Sequence, residues 1–477
     1  MSNFGVVMKK ITQIRNRGFN NLAAVSWRTG RLRAIYFQTA IGVLALLPLM
    51  MFGGCQSEVP YFRPNLVEIQ IEEDSSEPIT EDQQRLINET MLAIFGTPDD
   101  PGNPFPGDAE IKESGSPLTN FGFDVDKLKI AAGPAYKDAA GNQHGLYRLH
   151  CAHCHGVTGG GDGPTAAFLN PYPRDYRQGV FKYKSTFGAA KPSHDDLKRV
   201  LVHGVAGTSM PSFRTLPDNE IEALVEYVRY LSVRGETEVR LIEYLASEGE
   251  MPGSITEIAG GFPLVVDDEG IPEEEPDEEN VVASVVYQWD SAPAYIIQPV
   301  SSPIDYSEPD SEAMRESIAR GEKLFYSKNL QCNSCHGDSA QGDGQRDKYT
   351  VWFKWREDLG TNNDDPAEIE RVVHQFMEVG ALQPRTIHPR NLRLGVYRGG
   401  RRPIDIYRRI YSGINGGPMP AQGTAAGIGG NEVPDDEAGG SIRREQIWDV
   451  VSYVMSLPYE QLSQGPPPQQ GSNYTPR

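Results

Sequence analysis

Cysteine is scarce: the 477 residues contain five. Cys55 follows an apolar run, and the other four fall into two Cys-x-x-Cys pairs, so none is left over for a structural disulfide. Basic charge is also in deficit. The formal net charge is −20, which argues against nucleic-acid binding, because that needs concentrated positive charge. Hydrophobic residues make up only 38% of the chain, and 49 glycines and 36 prolines imply much loop. At roughly 100–200 residues per domain, two or three compact units fit.

What charge there is lies unevenly. Residues 1–54 hold seven basic side chains, from Lys9 to Arg33, and no acid. Ala34 to Phe52 is apolar apart from Gln38 and Thr39, and Gly53-Gly54-Cys55 follows. A charged start, an apolar middle and small residues before a break describe an export signal. The layout resembles a bacterial lipoprotein signal, which would make Cys55 a lipidated N-terminus. The competing reading is an uncleaved membrane helix, since about 20 apolar residues span a bilayer. Either reading puts the bulk of the chain on the periplasmic side of a bacterial membrane.

The remainder repeats itself. Cys151-Ala152-His153-Cys154-His155-Gly156 and Gly161-Asp162-Gly163 answer Cys332-Asn333-Ser334-Cys335-His336-Gly337 and Gly342-Asp343-Gly344. Pro173-Arg174 answers Pro389-Arg390, the stretch from His203 to Met210-Pro211 answers Ser412 to Met419-Pro420, and Tyr227-Val228 answers Tyr453-Val454. Matches in the same order indicate a duplicated domain.

Helical spacing supports this organisation. Ser193 and Asp196 begin a helix that Gly204 ends. Ile221, Leu224, Val225 and Val228 share a face of another, and Ile447, Val450, Val451 and Val454 match them in the second copy. An insertion in that copy holds a helix opened by Pro366, with Ile369, Val372, Val373 and Phe376 on one face. The expected order is a signal or anchor over 1–54, an N-terminal extension over 55–134, modules over 135–235 and 311–460, an acidic linker over 236–310 and a disordered tail over 461–477. The linker carries 19 acids against the single base Arg240, and its stretch Asp267 to Glu279 reads as solvated. Its β-branched stretch Val281 to Trp289 reads as a strand packed on a domain.

Cys-x-x-Cys-His is a haem-attachment motif. Two cysteines three apart on one helical turn reach the two vinyl groups of a single haem. The adjacent histidine then lies beneath the iron. A zinc site would want four ligands gathered together, and a redox dithiol would not demand histidine twice. Two motifs imply two covalently bound haem c. Met210 and Met419, in matching glycine-rich loops, are candidates for the sixth ligand, which raises the potential. His203, His374 and Met377 are rivals without a counterpart in the other copy.

Both modules resemble class I cytochrome c domains, from the attachment motif through the Met-Pro loop to the last helix. The resemblance implies a mainly α fold, two tandem helical bundles with first and last helices crossing. It makes Cys151, Cys154, Cys332 and Cys335 thioether positions, His155 and His336 proximal ligands, and Met210 and Met419 distal ligands. It also implies a proline carbonyl against the proximal histidine, for which Pro164 is the first module's candidate. Eight arginines between Arg385 and Arg409 read mainly as a solvated basic face, with Arg174 and Arg390 singled out for haem propionates. The functional expectation is electron transfer, with no catalytic residues, between a quinol-oxidising complex or dehydrogenase and a terminal oxidase, reductase or soluble cytochrome. The alternative is a di-haem peroxidase, which needs one open distal side; a redox sensor is the third reading, with no output domain evident. With the haems in different domains across a long linker, changes at one are expected to leave the other untouched.

Overall fold

A computed structural model describes residues 60–73, 78–103, 122–259, 280–345, 365–423 and 442–459. The signal segment with Cys55, the run Asp267 to Glu279 and the C-terminal tail lie outside the described residues. Among those described, no helix is long and apolar enough to cross a membrane.

Two helices precede the first module, α1 (Leu66–Glu73) and α2 (Glu81–Phe95). The α2 helix opens on a reciprocal capping box between Thr80 and Gln83, which satisfies two of its free backbone donors. The module continues with α3 (Val125–Ala131), a two-residue hairpin of Tyr136–Lys137 with Gln143–His144, and the short helices α4 (Leu146–His150) and α5 (Ala152–His155). Then come α6 (His194–His203) and α7 (Asp218–Glu248). The capping box of Ser193 with Asp196 and the stop at Gly204 place α6 as its sequence predicts. Ile221, Leu224, Val225 and Val228 are all buried on α7, which packs against α1, α2, α3 and α6.

The second module is built from α10 (Glu312–Phe325), α11 (Cys332–His336), α12 (Pro366–Glu378), α13 (Pro403–Ser412) and α14 (Arg444–Ser456). Between the modules lie α8 (Ile255–Ala259) and α9 (Val281–Asp290). The fold is mainly α, with two helical modules. In the second, α10 crosses α14 at Gly321, where an added Cβ would collide with the backbone carbonyl of Asp449 and lie 2.9 Å from Tyr453 Cβ. That contact explains a glycine inside a helix, a place where it costs roughly 0.5–1 kcal/mol against alanine.

Two expectations for the intermodule stretch are corrected. Val281 to Trp289 is helix α9, not a strand. Val282, Ala283, Val285 and Val286 are wholly buried there, and burial on nearly all sides overrides the β preference of valine. The start of the expected linker is also interior, because α7 runs on past residue 235. Glu236 is buried, paired with Lys191, and accepts a hydrogen bond from the Trp289 indole at 2.8 Å. Glu238 is paired with Arg234 and accepts the Asn65 amide, both at 2.8 Å. Removing Arg234 would leave that carboxylate buried without its cation, a loss of about 3–5 kcal/mol.

The modules are not independent beads. The Arg199 guanidinium pairs with Asp405, and Arg409 donates to the Lys182 carbonyl at 3.2 Å. The insertion of the second module lies on the N-terminal extension: Val372 and Phe376 of α12 pack with Val67 and Ile71 of α1. Arg385 sits 4.0 Å over the Tyr172 ring and donates to the carbonyls of Ala167 and Leu169. The Tyr172 hydroxyl donates to the Gln383 carbonyl at 3.0 Å. The two modules are therefore in direct contact rather than held apart by the linker.

Candidate haem sites

Each attachment motif occupies a single helical turn. The His155 amide donates to the Cys151 carbonyl at 2.9 Å, which stacks the cysteines and histidine on one short segment. Gly156 and Gly337 both have φ near +75° to +80°, and a side chain on either would strike the carboxylate of Asp162 or Asp343. The following glycine loop closes back on the motif. Gly161 and Gly342 donate to the carbonyls of His155 and His336 at 2.9 and 2.8 Å. Gly163 and Gly344 donate to those of Cys154 and Cys335 at 3.1 and 3.2 Å. The repeated Gly-Asp-Gly is thus the backbone latch of the attachment turn.

The two histidines are oriented alike. His155 Nδ1 lies 2.9 Å from the Arg174 carbonyl, and His336 Nδ1 lies 3.1 Å from the Arg390 carbonyl. A carbonyl only accepts, so Nδ1 carries the proton and Nε2 keeps a lone pair free for a metal. Burial pushes His155 down to about 4 and also lowers His336, which keeps both rings neutral, as ligation requires. The acceptor corrects the assignment to Pro164. That proline is exposed, and the chain beyond it first makes a turn at Ala166–Phe168. It is the later segment Pro173-Arg174, matched by Pro389-Arg390, that returns over the histidine. The arginines singled out for their side chains also contribute their backbone carbonyls, which no side-chain pattern announces.

The methionine loops also correspond. Val205 and Ile414 donate to the carbonyls of Met210 and Met419 at 3.2 and 3.0 Å. Gly204 and Gly413 have φ of +66° and +69°, and a Cβ on either would lie 2.6–2.7 Å from those same carbonyls. Both methionines are partly buried against their module's core. The rivals face elsewhere: His203 is exposed, Met377 is 45% exposed, and His374 is exposed beside Glu378.

In the first module a cavity of about 390 Å³ is bounded by Cys151, Cys154, His155 and Met210. Apolar walls from Phe181, Leu197 and Leu201 complete it. Tyr176 stacks on the His155 ring at 4.7 Å. Burial pushes the Cys151 thiol up to about 12 and Cys332 to about 11, so neither is a ready thiolate. A neutral imidazole with a free Nε2, two neighbouring thiols and a thioether around an apolar cavity fit haem c.

The arginine-rich stretch corrects a further reading. Arg385, Arg390, Arg393, Arg398, Arg408 and Arg409 are half-buried, and only Arg401 and Arg402 are exposed. Arg398, from the second module, lines the first module's cavity. Nothing in the local sequence marks it apart from its neighbours.

Comparison with known proteins agrees with this geometry. Residues 138–228 match the family model described as cytochrome c oxidase, cbb3-type, subunit III, and residues 318–458 match that of cytochrome c. No curated protein matches the chain. Among solved structures, a chain of the Kuenenia stuttgartiensis reducing HAO-like protein complex is similar at 21% identity, covering 66% of this chain and 94% of that one, with a TM-score of 0.36.

Proposed function

We propose, from the premise that this chain carries two cytochrome c domains, that it is a di-haem electron carrier on the periplasmic side of a bacterial membrane. Bound haem c supplies a ferric/ferrous couple that exchanges one electron. Cys151 and Cys154, and Cys332 and Cys335, would hold the two groups as thioethers. His155 and His336 would ligate from below, each aimed by a carbonyl, and Met210 and Met419 would close the other side. The observation that carries this reading is the matched pair of carbonyl-oriented histidines, at 2.9 and 3.1 Å, each in a module with its own methionine loop.

The count is the first test. Acid–acetone extraction followed by haem quantification should leave two haems on each polypeptide. A value of one would refute the di-haem reading.

The electrons would come from a quinol-oxidising complex or dehydrogenase and pass to a terminal oxidase, reductase or soluble cytochrome. Purification in mild detergent, with identification of what accompanies the chain, tests this. Anchoring would be through lipid on Cys55 or through an N-terminal helix. Cys55→Ser should release the protein from membranes or block processing if the lipid is the anchor. Mature protein that still carries residues 1–54 would identify the helix instead.

A further inference from the structure

Lys182, Arg390 and Arg398 meet between the modules, and no salt bridge among the described residues balances their charge. Lys182 belongs to the first module and faces Arg174 and Arg398, both cations. Arg390 faces Arg398 and the Tyr183 phenol. The Nε atoms of Arg390 and Arg398 are buried and make no hydrogen bond. The nearby carboxylates are committed elsewhere: Asp175 to Arg177, Asp196 to Arg199, and Asp405 to Arg199 and Arg402.

The cluster also spans the contact between modules. Arg398 lines the cavity of the first module along with Cys151, His155 and Met210. Arg390 reaches the first module's methionine loop, where a Cβ on Gly207 would lie 3.1 Å from its Nη2 and 3.0 Å from Val396 Cγ1. Like charges held close in a half-buried setting repel one another far more than they do in water. Lys182, Arg390 and Arg398, which have no salt bridge among the described residues, therefore call for anions. The group that fits the cavity brings carboxylates of its own.

We infer that Arg398 of the second module, with Lys182 of the first, binds the propionate carboxylates of the first module's haem, so that one module sets the potential of the other. The inference rests on the haem reading above. Burial and the neighbouring cations hold Lys182 down to about 7, as expected of an ammonium whose counter-ion is a carboxylate of the bound group. A cation beside a haem favours the reduced form, which carries one more negative charge. Losing that cation should lower the potential.

The test is a potentiometric titration of the full-length, haem-loaded protein. The first haem is identified as the one whose potential moves in Met210→Ala. Arg398→Leu should shift that haem's equilibrium about tenfold toward the oxidised form, which is about 59 mV downward for one electron. Arg398→Lys should recover most of the shift, and Lys182→Met should lower the same haem. Should Arg398→Leu fail to fold, Arg398→Gln serves in its place, with unchanged haem content as the control. Less than a twofold change, or a shift confined to the second haem, would overturn the inference. A first module that carries no covalent haem would instead remove the haem reading, and the inference with it.

Discussion

Gly321→Leu should unfold the second helical module. At Gly321 the helices α10 and α14 come so close that a Cβ would collide with the Asp449 carbonyl, and Tyr453 Cβ lies 2.9 Å away. The obstacle is backbone, so no side-chain rotation relieves it. Parting the helices would break the Arg320–Asp449 fork, with bonds of 2.9 and 3.0 Å, and the 2.7 Å bond from the Ser317 hydroxyl to the same carboxylate. Overpacking typically costs 1–3 kcal/mol, and here the expected loss is at or above about 3 kcal/mol. Thermal melts followed in the haem absorption region, with haem staining of the denatured chain, measure it. A melting profile like that of the parent protein would show that the helices separate freely and that this crossing does not hold the module together.

Met419→Ala should have the largest electronic effect. Thioether sulfur on ferric haem gives a weak band at the red end of the visible spectrum, and about half of it should disappear. The potential of the second haem should fall by roughly 0.1 V or more, since axial ligands tune haem over about 0.8 V and methionine favours the ferrous state. Met210→Ala should do the same for the first. His374→Ala is the informative comparison, because that side chain is exposed on α12 beside Glu378. An unchanged spectrum in Met419→Ala together with an altered one in His374→Ala would reassign the ligand and return the peroxidase reading to consideration.

The attachment turns, the methionine loops and a few helix boundaries were legible because they are local. Cys-x-x-Cys-His fits on one helical turn, and α6 announces itself with Ser193, Asp196 and Gly204. The α12 helix was equally plain from the spacing of Ile369, Val372, Val373 and Phe376. What stayed hidden depends on distant partners. The carbonyls of Arg174 and Arg390 leave no trace in residue type. Arg398 looks like any arginine of a basic run until the first module's cavity is placed beside it. Glu236 and Glu238 look solvated until Lys191, Trp289, Arg234 and Asn65 surround them. The α9 misreading has another cause: a short apolar run reads the same as strand or helix when every face is covered.

The placement of α12 on the N-terminal extension and of Arg385 on the first module has a consequence for how the duplication can be edited. In chain order these residues belong to the second repeat, yet Val372 and Phe376 cover Val67 and Ile71, and Arg385 caps Tyr172. Burying those two side chains is worth on the order of 3–6 kcal/mol before the ordering entropy is subtracted. The halves are therefore not interchangeable cassettes. A cut in the acidic stretch yields an N-terminal fragment missing part of its own wall, and trimming the insertion from the second repeat damages the first. Recombination that respects only the repeat boundaries would separate a haem module from its cover.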